Sequence, residues 1–144
     1  MTNNLFSNTK ESNMPLAEAL RPQKLAEVVG QKHLLSENGA LFKMVNAGYL
    51  SSFILWGPAG CGKTTIAKII AAESSARFEQ ISAVFSGVAE LKKIFNQAEI
   101  NKEQGKQTVL FVDEIHRFNK AQQDAFLPVI ENGTIILIGA TTEN

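Results

Sequence analysis

The sequence predicts an α/β fold built on a doubly wound parallel sheet, and three observations carry that prediction. Four short apolar runs that read as strands alternate with segments whose apolar residues recur at helical spacing. A glycine-rich turn, Gly57 to Thr64, joins the first of these strands to a helix. The polar residues Asp113, Glu114, Thr141 and Thr142 stand at the carboxyl ends of strands, the edge on which open α/β sheets carry their sites.

Length and composition fit one such domain. A chain of 144 residues can bury most of its apolar surface, and 44% hydrophobic with 19% charged residues is ordinary globular composition. Fourteen basic and fourteen acidic residues balance, which argues against a whole-domain electrostatic footprint for nucleic acid and leaves only a local patch. The single cysteine, Cys61, excludes an intramolecular disulfide and fits a reducing compartment. The N-terminal MTNNLFSNTKESNM lacks a charged start followed by a long apolar run, and no segment is long enough to span a membrane. The expected compartment is therefore the cytoplasm, with no membrane partner.

Residues 1 to 13 are rich in Asn, Ser and Thr and are expected to form a disordered tail. Leu5-Phe6 within it reads either as incidental or as a short docking motif. Pro15 and Pro22 bracket a short segment, Leu25 to Val29 is apolar enough to pack, and Gly30 turns the chain into a helix from about Gln31 towards Gly48. His33 on that helix reads as a solvated residue, because no second His or Cys is near enough to suggest a metal site.

Phe53 to Trp56 forms the first strand, and the following helix turns Ile66, Ile69 and Ile70 inward. Between them lies G-x-x-x-x-G-K-T: Gly57, Pro58, Ala59, Gly60, Cys61, Gly62, Lys63 and Thr64, with Thr65 behind. Such a loop wraps its backbone N–H groups around phosphate oxygens, and the helix N-terminus adds its positive end. Lys63 then reaches the β- and γ-phosphates of a nucleotide, and the Thr64 hydroxyl takes a place on Mg²⁺.

Arg77 to Ala83 reads as a short second strand, and Val88 to Gln104 as a helix with Val88, Leu91, Ile94, Phe95 and Ala98 on one stripe. Thr108 to Val112 is apolar on both faces, like a buried parallel strand, and runs into Asp113-Glu114. Two carboxylates there are costly unless something positive is bound, and a magnesium nucleotide supplies that charge. Asp113 is placed to hold Mg²⁺ through water, and Glu114 to orient and deprotonate an attacking water. The bland alternative is a helix N-terminus that favours acidic residues.

His116 reads as a hydrogen-bonding positioner, and Arg117 as a contact to a neighbouring subunit or DNA, or equally as a surface ion pair. A helix from about Lys120 buries Ala121, Ala125, Phe126, Val129 and Ile130, with Pro128 kinking or ending it. Asn132-Gly133 turns the chain into a fourth strand, Thr134 to Gly139. Thr141, Thr142 and Asn144 then face the same sheet edge as the two carboxylates.

With these pieces in place, PLAEALRP…VVGQKHLL, ILWGPAGCGKTT, ISAVFSGV, LFVDEIHRFNKAQQDAFLPVIENGTI and LIGATTEN together resemble AAA+ ATPases, and more narrowly the replication-associated recombination protein A family. The resemblance covers nearly all of residues 15 to 144. It implies an AAA+ type P-loop NTPase domain over residues 14 to 144, ATP and Mg²⁺ as cofactors, and DNA forks or single-strand/double-strand junctions as partners. It also implies self-association in the complete protein, contacts with replication proteins such as single-strand-binding protein or the sliding clamp, and a nucleoid-associated location. Val29 and Gly30 match the segment bordering the adenine, and Thr142 matches the position that senses the γ-phosphate.

Ala59 and Cys61 depart from the family's usual proline and threonine. Binding is expected to survive, with Cys61 adding sensitivity to oxidation. The family continues past Asn144 with a fifth strand, an arginine finger and a helical lid, so the chain reads as an incomplete domain that binds ATP and hydrolyses little of it. An arginine finger contributes about 10³ to 10⁵ in turnover. The missing strand would pair with Phe53 to Trp56, which is expected to be an uncovered edge. Two other readings stay open: a DExH-type helicase, because Asp113-Glu114-Ile115-His116 spells that box, and a non-catalytic fragment that binds nucleotide or partners.

Overall fold

The computed structural model describes residues 21–24, as backbone, and residues 50–142. Over these the chain forms β1 (Arg21–Lys24), β2 (Phe53–Trp56), α1 (Lys63–Glu73), β3 (Arg77–Ser82), α2 (Val88–Glu103), β4 (Thr108–Asp113), a 3₁₀ turn (Ile115–Arg117), α3 (Lys120–Glu131) and β5 (Ile136–Thr141). The sheet order is β1-β2-β5-β4-β3, and every pairing is parallel. The expected disordered tail, Val29, Gly30, the helix from Gln31 and Asn144 lie outside the described residues.

Parallel strands covered on both faces need apolar residues at consecutive positions, and β4 and β5 supply them. Val109, Leu110, Phe111, Val112, Leu137 and Ile138 are at most 1% exposed. Alternate residues then feed two cores. On one face Phe53, Leu55, Val109, Phe111 and Ile138 meet Ile66, Ala67, Ile70 and Ala71 of α1. On the other, Ile54, Leu110, Val112 and Leu137 meet Leu91, Phe95 and Ala98 of α2 and Phe126 of α3. Phe126 is the hub of that second layer, with its ring 5.0 Å from Phe95 and 5.1 Å from Phe118.

Several details differ from the sequence expectation. The sheet has a further strand, because Arg21–Lys24 pairs with β2 in register from Arg21↔Phe53 to Lys24↔Trp56, so the edge expected to be uncovered is paired. The run RPQK is polar and contains a proline, both tolerated in an edge strand, and for the same reasons it carries no apolar strand signal. β5 starts and ends two residues later than expected, at Ile136 and Thr141. Ile69 is on the open side of α1, 38% exposed, and Ala67 and Ala71 complete the buried stripe instead. On α3, Ala121 is exposed while Gln122 and Gln123 are buried. Their amides are bonded: Gln122 Nε2 donates to the Ser86 carbonyl, and Gln123 Nε2 donates to Phe118 O at 3.4 Å. α3 also continues past Pro128 to Glu131, and the Pro128 carbonyl still accepts from Asn132 N–H at 3.0 Å.

Candidate functional site

The strand order brings three chain-distant segments to one edge of the sheet. β5 lies between β2 and β4, so Thr141 pairs with Trp56 on one side, and Ala140 pairs with Asp113 on the other. The glycine-rich loop leaves β2 at Gly57, whose N–H donates to Thr141 O at 3.0 Å. Gly60 and Gly62 have φ of 78° and 98°, a region other residues enter at a cost, which is what lets the loop curl back over the strand ends. Gly62 is also the N-cap of α1 and provides no side-chain cap, so the N–H groups of the first turn are presented to an anion.

Lys63 opens α1, is 8% exposed, and donates through Nζ to Gly57 O at 2.5 Å and Thr141 O at 3.2 Å. A buried ammonium held only by carbonyls at a loop mouth suits a multiply charged oxyanion. Thr64 is half-buried, Thr65 is exposed, and Cys61 packs partly against the apolar layer around α1.

Asp113 ends β4. Its carboxylate is solvent-exposed, with Oδ1 accepting from Glu114 N–H at 3.1 Å, and the Glu114 side chain is 34% exposed. The expected burial cost of this pair is therefore small, because both carboxylates stand at the rim rather than inside the sheet. The helix that follows is in two parts: Glu114 is the N-cap of a three-residue 3₁₀ turn, and α3 starts at Lys120 with its own cap. Glu114 has a left-handed backbone, φ 55° and ψ 45°, unusual for a residue with a side chain and frequent at sites under geometric demand.

Thr142 follows β5 and is exposed at the same edge. The neighbouring Thr141 is the better connected residue. It is 3% exposed, and its Oγ1 lies 2.8 Å from His116 Nδ1, while His116 Nε2 lies 3.3 Å from Glu114 Oε1. Sequence reasoning put Thr141 only at the edge. Its hub position follows from strand register, which the sequence does not fix. A second feature escaped the sequence pattern altogether: Val84 and Phe85, in the loop after β3, are 43% and 85% exposed and border an open cleft with Ser86, Arg117 and Gln122.

Among the described residues no cluster of three or more His, Cys, Asp or Glu side chains could hold a metal ion. A divalent cation here would depend on phosphate oxygens and water for most of its ligands, with Thr64 and Asp113 offering hard oxygens. That donor set fits Mg²⁺ and not a metal held by the protein alone.

The profile of the ATPase family associated with various cellular activities (AAA) matches residues 53–144, from β2 through both halves of the site. The chain belongs to this family. Over its whole length the AAA chain is similar to the replication-associated recombination protein A of Escherichia coli (strain K12), 52% identical over 144 residues, which is 100% of this chain and 32% of that protein. It is 50% identical over 135 residues to the ATPase WRNIP1 of Dictyostelium discoideum, 94% of this chain and 15% of that one. The chain thus spans about a third of the bacterial relatives' length. Among solved structures, the Holliday junction branch migration motor RuvB of Thermotoga maritima is similar with a TM-score of 0.58 at 32% identity, over 85% of this chain and 42% of that one. These likenesses favour the AAA+ expectation over the DExH-helicase one.

Proposed function

We propose that this AAA chain binds ATP with Mg²⁺ at the rim formed by the loop after β2, the end of β4 and the end of β5. In the protein it represents, ATP hydrolysis serves DNA-dependent replication-fork maintenance, repair and recombination. The observation that supports it most is the buried Lys63 ammonium between the Gly57 and Thr141 carbonyls, at the edge that also carries Asp113 and Glu114.

In this reading Gly57 and Pro58 shape the loop, Ala59, Gly60, Cys61, Gly62 and Thr65 offer backbone N–H groups to the phosphates, Lys63 neutralises the β- and γ-phosphates, and Val29 and Gly30 border the adenine. Thr64 and Asp113 hold Mg²⁺, which draws electron density from the phosphoryl oxygens when bound. Glu114 takes the proton of the attacking water, and Thr142 registers the γ-phosphate. The DNA, self-association and replication-protein partners, and the nucleoid-associated cytoplasmic location, extend the same reading from the relatives' names. A place to look for DNA is the exposed Phe85 ring beside Arg117, since an aromatic face and a guanidinium serve base stacking and phosphate contact respectively.

Calorimetry with ATP and Mg²⁺ tests the nucleotide site. Lys63→Ala is expected to weaken binding by about tenfold to a hundredfold, as loss of a charge-assisted contact does. Unchanged affinity would remove the assignment. For the DNA role, ATP turnover is measured with and without forked DNA, and indifference to every DNA structure would reject it.

A further inference from the structure

The carboxylate read above as the base is tethered. Glu114 Oε1 lies 3.3 Å from His116 Nε2, and His116 Nδ1 lies 2.8 Å from Thr141 Oγ1. The imidazole is 11% exposed, and Ile115, between the two residues, is fully buried over Gly139, so the turn that carries them is pinned to β5. Thr141 in turn gives its carbonyl to Lys63 Nζ and Gly57 N–H.

We propose that His116 is a positioning residue for Glu114 and, through Thr141, links that carboxylate to the phosphate-binding lysine. The proposal rests on the reading of Glu114 as base. An ionised carboxylate only accepts hydrogen bonds, so the neutral ring carries its proton on Nε2 and donates it to Glu114. Nδ1 is then an acceptor, and the Thr141 hydroxyl fills it by donating. One oxygen of Glu114 is fixed by the ring and the other is left for a water. When Lys63 exchanges the Thr141 carbonyl for a phosphate, the adjustment at Thr141 reaches Glu114 through two hydrogen bonds. Nucleotide occupancy and the aim of the base become coupled.

Nitrogen-15 spectra of the imidazole rings in the full chain, in alkaline buffer, test the bonding directly. His116→Gln identifies the ring's signals against those of His33. The expected result is the Nε2–H tautomer, driven towards a tautomer mixture by Thr141→Val and by Glu114→Ala. An Nδ1–H ring, or one unaffected by both substitutions, overturns the proposal. In the ATPase assay, His116→Ala is expected to lower kcat on the order of tenfold with KM for ATP unchanged. His116→Gln, whose amide nitrogen can take the place of Nε2, restores most of the rate, and His116→Asn does not. Equal losses in the Gln and Asn variants, or an unchanged rate in His116→Ala, count against it. The Lys63→Ala binding experiment is independent of the tautomer, so failure of the nucleotide site and failure of the tether are distinguishable.

Discussion

Gly139 shows how closely one residue controls the site. A Cβ built on it would lie 2.5 Å from Ile115 Cδ1 and 3.0 Å from Ile115 Cγ2. Its φ is not in the left-handed region, so the demand for glycine comes from space rather than backbone freedom. Gly139→Ala must push Ile115 off β5, and with it the turn that carries Glu114 and His116. A destabilisation of about 1–3 kcal/mol is expected from such overpacking, read as a shift of the urea midpoint. Adding Ile115→Val should not rescue it fully, because Cγ2 remains, whereas Ile115→Ala in the Gly139→Ala background should recover part of the loss. A double-mutant cycle showing no coupling between 139 and 115 would contradict this account. Gly62→Ala is a contrasting case: with φ at 98° the strain is in the backbone, and the cost of about 1–2 kcal/mol should persist whatever surrounds it.

At the scale of elements, α3 is held at its start by a reciprocal cap. Asn119 Oδ1 accepts from Gln122 N–H at 2.8 Å, and Gln122 Oε1 accepts from Asn119 N–H at 2.8 Å. Asn119→Ala should therefore cost about 1 kcal/mol, measurable as a lower thermal midpoint. Gln122→Ala should cost more, because the Gln122 amide also reaches the Ser86 carbonyl and ties α3 to the loop after β3. Equal effects from the two substitutions would show that this second bond contributes nothing. The same helix marks what the sequence could and could not convey. Apolar spacing exposed α2 and β4, and the G-x-x-x-x-G-K-T spelling exposed the loop after β2, because each is specified by neighbours within a few turns or residues. Gln122 and Gln123 look like surface residues in any local window. Their burial is made tolerable by carbonyls of Ser86 and Phe118 that only the fold brings near. Thr141 and Thr142 are alike in composition, and strand register alone sends the first to His116 and leaves the second exposed.

Across the whole molecule, the pairing of β1 with β2 decides how the sheet ends. β2 is wholly apolar but short, four residues from Phe53 to Trp56, and Phe53, Ile54 and Leu55 are at most 2% exposed. Left unpaired, its N–H and C=O groups would form a ready template for another chain. Arg21–Lys24 supplies the missing ladder, and a strand with two cations and a proline is poorly suited to recruit a further neighbour. The pairing spans a long stretch of sequence, which is why no local pattern announced it. Residues 25–144 alone are thus expected to self-associate, seen by light scattering, at concentrations where the 144-residue chain stays dispersed. Gln23→Pro, which removes one more backbone donor from β1, should fall between the two. Amide exchange in Phe53–Trp56 supplies the structural check, because loss of β1 should speed exchange there while leaving β4, two strands away between β5 and β3, protected. If the shortened chain stays equally dispersed and its β2 amides exchange no faster, then β1 does not stabilise this edge, and another part of the protein must do so.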